Sequence, residues 1–249
     1  MKTWVFLRGL TRESGHWGGF LETFACIVPD SRIVALDLPG TGARHRETSP
    51  GDVPRIAEDC RSTLFRLGVD PPYRLLALSL GAMVALAWAD RHPAEIAECV
   101  LINTSLRTYS PFYRRLRPRS YARLLYLALR DDARACETMI LRLTSGQRDE
   151  RLVDEWVTLR VRHPVTLANA VRQLFAAARY RPPRDRPAPP VLVLASRNDR
   201  LVHVACSKAI AAAWNCSLRI HPYAGHDLPL DDGAWVAEQV RHWTDGGGA

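Results

Sequence analysis

The sequence lacks the long apolar runs and the glycine-rich loops that identify several large classes of protein. It contains no run of about 18 apolar residues, so we expect no transmembrane span. The apolar run after Met1 ends at Arg8, which is too short for the hydrophobic region of a secretory signal. No phosphate-binding loop of the Walker or dinucleotide type is present. Membrane, secreted and nucleotide-binding classes are therefore not expected.

The chain also lacks paired cysteines. Its six cysteines are scattered, with no C-x-x-C pair and no spacing typical of a zinc site. We therefore predict buried free thiols in a cytoplasmic protein, because thiols stay reduced in that compartment. We also predict no metal site and no cofactor. The cysteines are Cys26, Cys60, Cys99, Cys136, Cys206 and Cys216.

Lysine is nearly absent, and arginine supplies almost all of the positive charge. Only Lys2 and Lys208 occur among 34 basic residues, and the formal net charge is +8. Residues 107–186 hold 18 arginines against 8 acids, so this segment alone has a net charge of +10. The arginines either solvate helix faces in an arginine-rich proteome or form an electropositive entrance for acidic substrates or an acidic carrier protein. Nucleic-acid binding is not expected, since no basic motif with interleaved aromatics occurs.

Apolar runs that resemble buried strands alternate with segments of helical spacing. This alternation predicts an α/β fold, with a mostly parallel sheet of about six strands and helices on both faces. The predicted strands are Thr3–Leu7, Arg32–Leu36, Arg74–Leu78, Cys99–Asn103, Val191–Ala195 and Ser217–His221. The predicted helices are Trp17–Ala25, Val53–Gly68, Leu80–His92, Ala205–Trp214 and Gly233–Trp243.

The middle of the chain contains no recognisable strand. Helical spacing dominates residues 107–186 and predicts about four helices, with breaks that include Pro182–Pro183. In the last of these helices, the apolar positions Leu167, Val171, Leu174 and Phe175 fall on one face. We interpret 107–186 as a helical lid inserted into a catalytic core formed by 1–106 and 187–249. The terminal Gly246–Ala249 is expected to be disordered.

A single serine stands where a strand meets a helix. The leucine-rich strand before Ser79 has the small residue Ala77 two positions away, and Gly81 follows two positions after the serine. Small flanking residues allow the sharp turn that lifts a serine hydroxyl above a sheet, at a helix N-terminus whose N–H groups can stabilise an oxyanion. Ser79 is therefore a candidate nucleophile.

An acid and a base follow in the required order. Asp199 lies just after the predicted strand Val191–Ala195, and His226 lies just after Ser217–His221. Sites in open α/β sheets form outside the carboxyl ends of strands, where all three residues would lie. An imidazole can take the proton of a serine, and a carboxylate can orient that imidazole. Asp227 could compete as the acid, but adjacent residues rarely point at each other.

These motifs resemble those of the α/β-hydrolase superfamily, within the small lidded serine hydrolases that include carboxylesterases and pimeloyl-carrier-protein methyl esterases. The resemblance implies that the backbone N–H groups of Leu10 and Leu80 form the oxyanion hole. Two departures occur, because Ala77 and Arg8 stand where the family usually has glycine and histidine. The matching segments are Phe6–Leu10 with His16–Trp17, Leu36–Gly42, Ala77–Gly81, Asn198–Val202 and Gly225–Pro229.

The sequence therefore predicts a serine hydrolase that cleaves a small carboxylic ester through an acyl-serine. Substrate contacts are assigned to Arg8, Gly9, His16 and Trp17. A carrier-linked ester or thioester stays open as the substrate. A catalytically silent ligand-binding protein and a C–C hydrolase or lyase on the same fold stay open as alternative functions. Three other residues at strand ends or in nearby loops are interpreted as structural or cleft-lining: Asp37, His203 and His221.

Overall fold

The computed structural model describes residues 1–182 and 184–247, without the side chains of residues 125, 128 and 129. Part of the predicted break at Pro182–Pro183 and part of the predicted tail at Gly246–Ala249 lie outside these residues. The described chain forms one sheet of six parallel strands in the order β2-β1-β3-β4-β5-β6. The strands are β1 (Lys2–Leu7), β2 (Ser31–Leu36), β3 (Tyr73–Leu78), β4 (Ile96–Ile102), β5 (Val191–Ser196) and β6 (Ser217–His221).

Helices cover both faces of this sheet, as predicted. Alternate residues of each strand point to opposite faces, so Leu75 and Ala77 join one buried cluster while Leu76 and Leu78 join the other. The helices are α1 (Phe20–Ile27), α2 (Val53–Arg66), α3 (Leu80–Arg91), α4 (Phe112–Arg115), α5 (Tyr121–Leu129), α6 (Ala133–Thr144), α7 (Glu150–Arg162), α8 (Leu167–Arg179), α9 (Ala205–Trp214), α10 (Leu228–Asp231) and α11 (Gly233–Asp245). The clusters place α2, α3 and α9 on one face and α1 and α11 on the other.

The strand order reverses direction between β1 and β3. The chain runs from β1 outward to the edge strand β2, then returns past β1 and continues through β3 to β6. Loops that leave neighbouring strands in opposite directions open a crevice at their carboxyl ends, which is where ligands bind in open α/β sheets. Residues 8–10 and Ser79 border this crevice.

Glycine and asparagine account for several boundaries that differ from the predictions. A helix was predicted over Trp17–Ala25, but a 3₁₀ turn at Ser14–Trp17 comes first and α1 starts only at Phe20. Gly18 has φ +50° and interrupts the helical path between them. Likewise, β4 ends at Ile102 because Asn103 has φ +45°.

The inserted helices differ from the prediction in number, and one of them buries its polar face. Five helices, α4 to α8, lie between β4 and β5 in the described chain, because α4 forms an additional single turn. The apolar face predicted for α8 is exposed: Leu167 and Phe175 are each 59% accessible. The buried face instead presents Asn169 and Gln173, whose amides bond backbone groups of the core. Polar residues can be buried there because their hydrogen bonds are satisfied.

Two further observations concern cysteine and the membrane. None of the six cysteines forms a disulfide, but Cys26 is exposed and Cys216 is half-buried, so burial does not extend to all of them. Helices with the length and apolarity needed to cross a bilayer do not occur in the described chain.

Candidate active site

Ser79 lies in a strained turn between β3 and α3. Its backbone has φ +57° and ψ −112°, a conformation that costs about 1–3 kcal/mol for a residue other than glycine. Hydrogen bonds at both ends hold it: the Ser79 N–H donates to the Ile102 carbonyl at 2.9 Å, and the Thr104 hydroxyl donates to the Ser79 carbonyl at 2.9 Å. The turn leaves Ser79 half-buried, so its side chain stands at the surface of the crevice.

Small residues allow β1 to approach this turn closely. A Cβ atom at Gly81 would lie 2.3 Å from the Leu7 carbonyl oxygen and 2.6 Å from that of Arg8. A Cβ atom at Gly9 would lie 3.2 Å from the Cβ of Ser79. The loop after β1 therefore packs directly against Ser79. Ala77, which replaces the usual glycine, is fully buried in β3, so its methyl group is accommodated.

His226 and Asp199 are brought together from the loops after β6 and β5. His226 Nδ1 lies 2.7 Å from Asp199 Oδ2, and both residues are buried. The other carboxylate oxygen accepts the N–H groups of Leu201 and Val202 at 2.7 and 2.9 Å. Because a carboxylate only accepts hydrogen bonds, Nδ1 carries the proton and the neutral ring presents Nε2 as its basic atom.

Burial and charge act in opposite directions on the pKa of His226. Burial of the ring lowers this pKa, but the charge and hydrogen bond of Asp199 raise it, with a smaller increase from Asp227. Arg8 lowers it slightly. The net effect is a pKa above the ordinary value for histidine, which strengthens Nε2 as a base.

Asn103 ties the ends of three strands together. Its Nδ2 donates to the Ser196 hydroxyl at 2.9 Å and to the His226 carbonyl at 2.8 Å, while its Oδ1 accepts the Ser196 N–H at 2.8 Å. The loops that hold Asp199 and His226 are therefore fixed to the end of β4. Asn103 was not predicted as a site residue, because the sequence placed it inside the predicted strand Cys99–Asn103, whereas the observed strand ends at Ile102.

The backbone N–H groups of Leu10 and Leu80 border the crevice beside Ser79. Leu80 is the first residue of α3, where an N–H has no partner within its helix. Within the described residues, neither N–H donates to a protein acceptor. The positive end of the α3 helix dipole lies at the same N-terminus and adds to the positive potential beside Ser79. The two groups are thus available to an anionic oxygen.

Arg8 forms a buried ion pair with Asp227. The guanidinium donates to both carboxylate oxygens, at 3.0 and 2.5 Å, and its central carbon lies 4.7 Å from the ring centre of Trp17. Both side chains are nearly inaccessible. The pair links the loop after β1 to the residue that follows His226. Asp227 is therefore engaged by Arg8, while Asp199 bonds the imidazole.

His16 is buried against the inserted helices. Its Nδ1 accepts the Glu13 N–H at 3.2 Å, and its ring meets that of Trp156 edge-on at 5.4 Å. Burial, followed by the charges of Arg12 and Arg8, holds its pKa well below the ordinary value, so the ring is neutral. His16 and Trp17 therefore lie behind the loop that carries Leu10.

Charged contacts join the inserted helices to the loops around the crevice. Arg12 bonds the buried carboxylate of Glu137 at 2.8 Å and stacks over Trp156 at 4.1 Å. On the opposite side, the Asp227 N–H donates to the Thr144 carbonyl at 2.7 Å. Helices α6 and α7 thus contact both the loop after β1 and the loop that bears His226.

The other singled-out residues support local backbone. Asp37 accepts the N–H groups of Ser14 and Ala43 at 2.6 and 2.9 Å. His221 Nδ1 accepts the Ala224 N–H at 2.8 Å, and His203 Nδ1 accepts that of Ala205 at 3.1 Å. The described residues contain no group of three or more histidine, cysteine or acidic side chains placed to hold a metal ion.

Two adjoining cavities lie between the inserted helices and the loops that follow β5 and β6. Their volumes are about 700 and 550 Å³, and Arg123, Leu143 and Arg200 line both. The smaller one, which we call the arginine groove, reaches Asn198 and Gly225. Ser79 is not among the described residues that line either cavity.

The chain was also compared with known proteins. Residues 4–239 match the family described as "Alpha/beta hydrolase family". A protein of Escherichia coli O103:H2 (strain 12009 / EHEC), named "Putative carbamate hydrolase RutD", is 27% identical over 235 residues, covering 92% of this chain and 85% of the relative.

Solved structures share the fold at lower identity. A "Putative non-heme bromoperoxidase BpoC" from Mycobacterium tuberculosis H37Rv superposes with a TM-score of 0.79 at 20% identity, over 100% of this chain and 94% of that one. A thermophilic esterase from Thermogutta terrifontis gives a TM-score of 0.76 at 18% identity, over 100% and 91%. Names as different as these show that the shared architecture does not determine one chemistry.

Proposed function

Because the chain belongs to the α/β-hydrolase family, we propose that it is a serine hydrolase that cleaves a carboxylic ester through an acyl-serine intermediate. The observation that supports this most directly is the 2.7 Å contact between His226 and Asp199 at the carboxyl edge of the sheet that also bears Ser79. Membership of the family supports a hydrolase in general. The ester substrate and the roles of single residues belong to the proposal.

In the first half of the reaction, the Ser79 hydroxyl attacks the ester carbonyl. His226 Nε2 takes the hydroxyl proton, and the Asp199 carboxylate stabilises the imidazolium that results. The negative charge that develops on the carbonyl oxygen is held by the N–H groups of Leu10 and Leu80. His226 then gives its proton to the leaving alcohol, which leaves the acyl group on Ser79.

In the second half, water takes the place of the alcohol. His226 removes a proton from the water, which attacks the acyl carbon, and the same two N–H groups stabilise the second tetrahedral intermediate. The bond between the acyl carbon and the Ser79 oxygen then breaks, His226 returns the proton to that oxygen, and the carboxylic acid leaves. The steps need no metal and no cofactor.

We assign residues 107–186 the role of a lid. This role is supported by α6, whose Glu137 pairs with Arg12 in the loop after β1 and whose Thr144 carbonyl accepts the Asp227 N–H beside His226. Gly9 and Leu10 contact the reacting carbonyl in this proposal. Arg8, His16 and Trp17 are buried behind that loop, so we assign them to its support rather than to the substrate.

Labelling with a fluorophosphonate tests the nucleophile. The reagent should add once to the wild-type protein, on Ser79, and Ser79→Ala should abolish the addition. Ser62→Ala is the matched control, because this exposed serine on α2 bonds only its own helix. Labelling that persists in Ser79→Ala contradicts the assignment and favours a silent binding pocket. Labelling without turnover of any ester favours a C–C hydrolase or lyase.

Carbamate hydrolysis is a second candidate. It is favoured by the relatives named RutD, which match 92% of this chain. A carbamate bears nitrogen on its carbonyl carbon where an ester bears carbon, so the same alcohol would leave and Ser79 would hold a carbamoyl group in place of an acyl group. Rates for an ester and a carbamate with the same alcohol group decide between them. Extending the panel to carrier-linked esters and thioesters tests whether the substrate is presented by an acidic protein.

A further inference from the structure

We propose that the arginine groove is a binding site for a small phosphate-bearing ligand, separate from the site at Ser79. Five of its lining residues are arginines, and none of the described residues that line it is acidic. The inference concerns a second ligand and stands whether or not the chain hydrolyses esters. The arginines are Arg117, Arg119, Arg123, Arg197 and Arg200.

The arginines of the groove have no acidic partner in the described chain, although Asp231 lies behind the groove, where it accepts the N–H groups of Gly146 and Gly225 at 3.0 and 2.6 Å. Among the described residues, no acid lies within ion-pair distance of any of the five arginines. Arg117 and Arg200 donate to carbonyls, those of Asp199 at 2.8 Å and Arg142 at 2.6 Å. The exposed guanidinium groups of Arg119, Arg123 and Arg197 form no hydrogen bond within the described chain. These three therefore have all their donors available for a ligand.

The chemistry of guanidinium selects the ligand. Its planar fork pairs with two oxygens of a phosphate, and such charge-assisted bonds are stronger than neutral ones. Three free forks on one concave surface match an anion with several phosphate oxygens better than a single carboxylate. The adjoining cavity adds Arg142 and Arg148 to the same positive region, while its Arg134 is paired with Glu150 and Asp154.

The shape of the groove favours a small molecule over a protein partner. Its volume of about 550 Å³ falls in the range of small-ligand sites, roughly 300–1,000 Å³. Its two walls are fixed to each other: the Arg117 N–H donates to the Leu201 carbonyl at 2.8 Å, and the Ser120 hydroxyl donates to the Arg200 carbonyl at 3.0 Å. The backbone of the groove is therefore already in place for a ligand, and the arginine side chains are the groups that binding must order.

Titration of the full-length protein with inorganic pyrophosphate tests the site. Calorimetry should give one saturable site, with affinity that falls as salt is added. The triple variant Arg119→Gln, Arg123→Gln, Arg197→Gln should weaken binding by about 10- to 100-fold, because three charge-assisted contacts are lost. Its thermal unfolding should match the wild type, since these side chains hold no protein partner.

The matched control removes the same charge elsewhere on the inserted helices. Arg151→Gln, Arg162→Gln, Arg172→Gln changes three arginines that line neither cavity, and it should leave pyrophosphate affinity within about twofold. An equal loss in both triple variants would mean that pyrophosphate senses only net charge, and would overturn the site. Absence of saturable binding would overturn it as well. Binding of a glutamate-rich peptide in place of pyrophosphate would replace it with a protein-docking surface.

Discussion

At the scale of the residue, His226 determines how activity should depend on pH. In the proposed mechanism the neutral ring is the base, so kcat/KM should fall as pH decreases through the pKa of His226. That pKa is raised, and the acid limb should therefore lie at a higher pH than for an ordinary histidine. A pH profile of kcat/KM on a neutral ester measures the pH at which this acid limb lies.

Asp199→Asn should change both the rate and the position of this limb. The amide removes the charge that raises the pKa, while burial, which lowers it, remains, so the limb should move to lower pH. Turnover should fall by about 10⁴-fold, because the wrong tautomer of the imidazole is stabilised. A limb that stays in place would show that Asp199 does not govern the titration of His226.

Asp227→Asn addresses the buried ion pair with Arg8. Loss of one partner leaves a buried charge without compensation, which should destabilise the protein by about 3–5 kcal/mol in urea unfolding. Asp227 raises and Arg8 lowers the pKa of His226, so the acid limb should also move to lower pH.

The matched control for this variant is Asp154→Asn, which breaks an exposed pair with Arg134. It should change neither stability nor the pH profile noticeably, since exposed pairs contribute little. A shifted stability with an unshifted profile in Asp227→Asn would show that the pair supports the fold without affecting the base.

At the scale of the element, the start of α3 depends on Gly81, whose lack of a side chain lets β1 and the loop after it approach closely. Gly81→Ala would raise the helix propensity, yet its methyl group would meet two backbone oxygens of the β1 strand and loop at 2.3 and 2.6 Å. Backbone cannot move aside cheaply, so the variant should lose about 1–3 kcal/mol of stability and reduce labelling of Ser79.

Gly51→Ala is the control, because an added Cβ there meets nothing within 4 Å. It should leave urea unfolding unchanged or shift it slightly towards greater stability. If both variants behave alike, the close approach of the loop after β1 to the turn at Ser79 does not limit the stability of the fold.

The elements that were predicted well are the ones whose bounds follow from local apolar spacing. The strand over Ser217–His221 and the helix over Ala205–Trp214 have the bounds that were predicted, and the six-stranded α/β sheet was predicted correctly. Helix α8 was predicted as a helix, but its buried face differs from its apolar face, because Asn169 and Gln173 bond backbone groups in loops distant in sequence. Periodicity records apolar spacing and contains no information about such partners.

The candidate site also contains residues that the sequence predicts and contacts that it does not. Ser79, Asp199 and His226 can be selected from strand-end positions and chain order alone. The buried ion pair of Arg8 with Asp227 joins residues 219 positions apart, so no local sequence pattern predicts this pair. The hydrogen bonds of Asn103 could not be predicted for the same reason, because its side-chain amide bonds groups that come close only in the folded sheet.

At the scale of the whole molecule, Asn103 joins segments that folding must bring together from a distance. The Asn103→Gly variant has a residue that readily adopts φ +45°, but it loses every hydrogen bond of the Asn103 side chain. We expect lower stability and a large drop in kcat with little change in KM, because the loops of Asp199 and His226 lose a shared anchor.

Asn215→Gly supplies the comparison. Asn215 has φ +46° at the end of α9, is exposed, and its side chain forms no hydrogen bond within the described chain. This variant should retain both stability and kcat. Equal kinetic effects in the two variants would mean that backbone freedom, and not the amide of Asn103, sets the geometry of the loops.

The wide separation of the parts joined by Asn103 also has a consequence during synthesis. Ser79, the proposed nucleophile, leaves the ribosome early, whereas the proposed base, His226, follows more than half a chain later, after the last strand. At about 5–20 residues per second, translation of the intervening segment takes several seconds or more. On the proposed mechanism, a nascent chain stalled before Ser217 should hold an unactivated serine, and reactivity should begin only when β6 docks. Fluorophosphonate added to arrested chains of graded length would time that docking step.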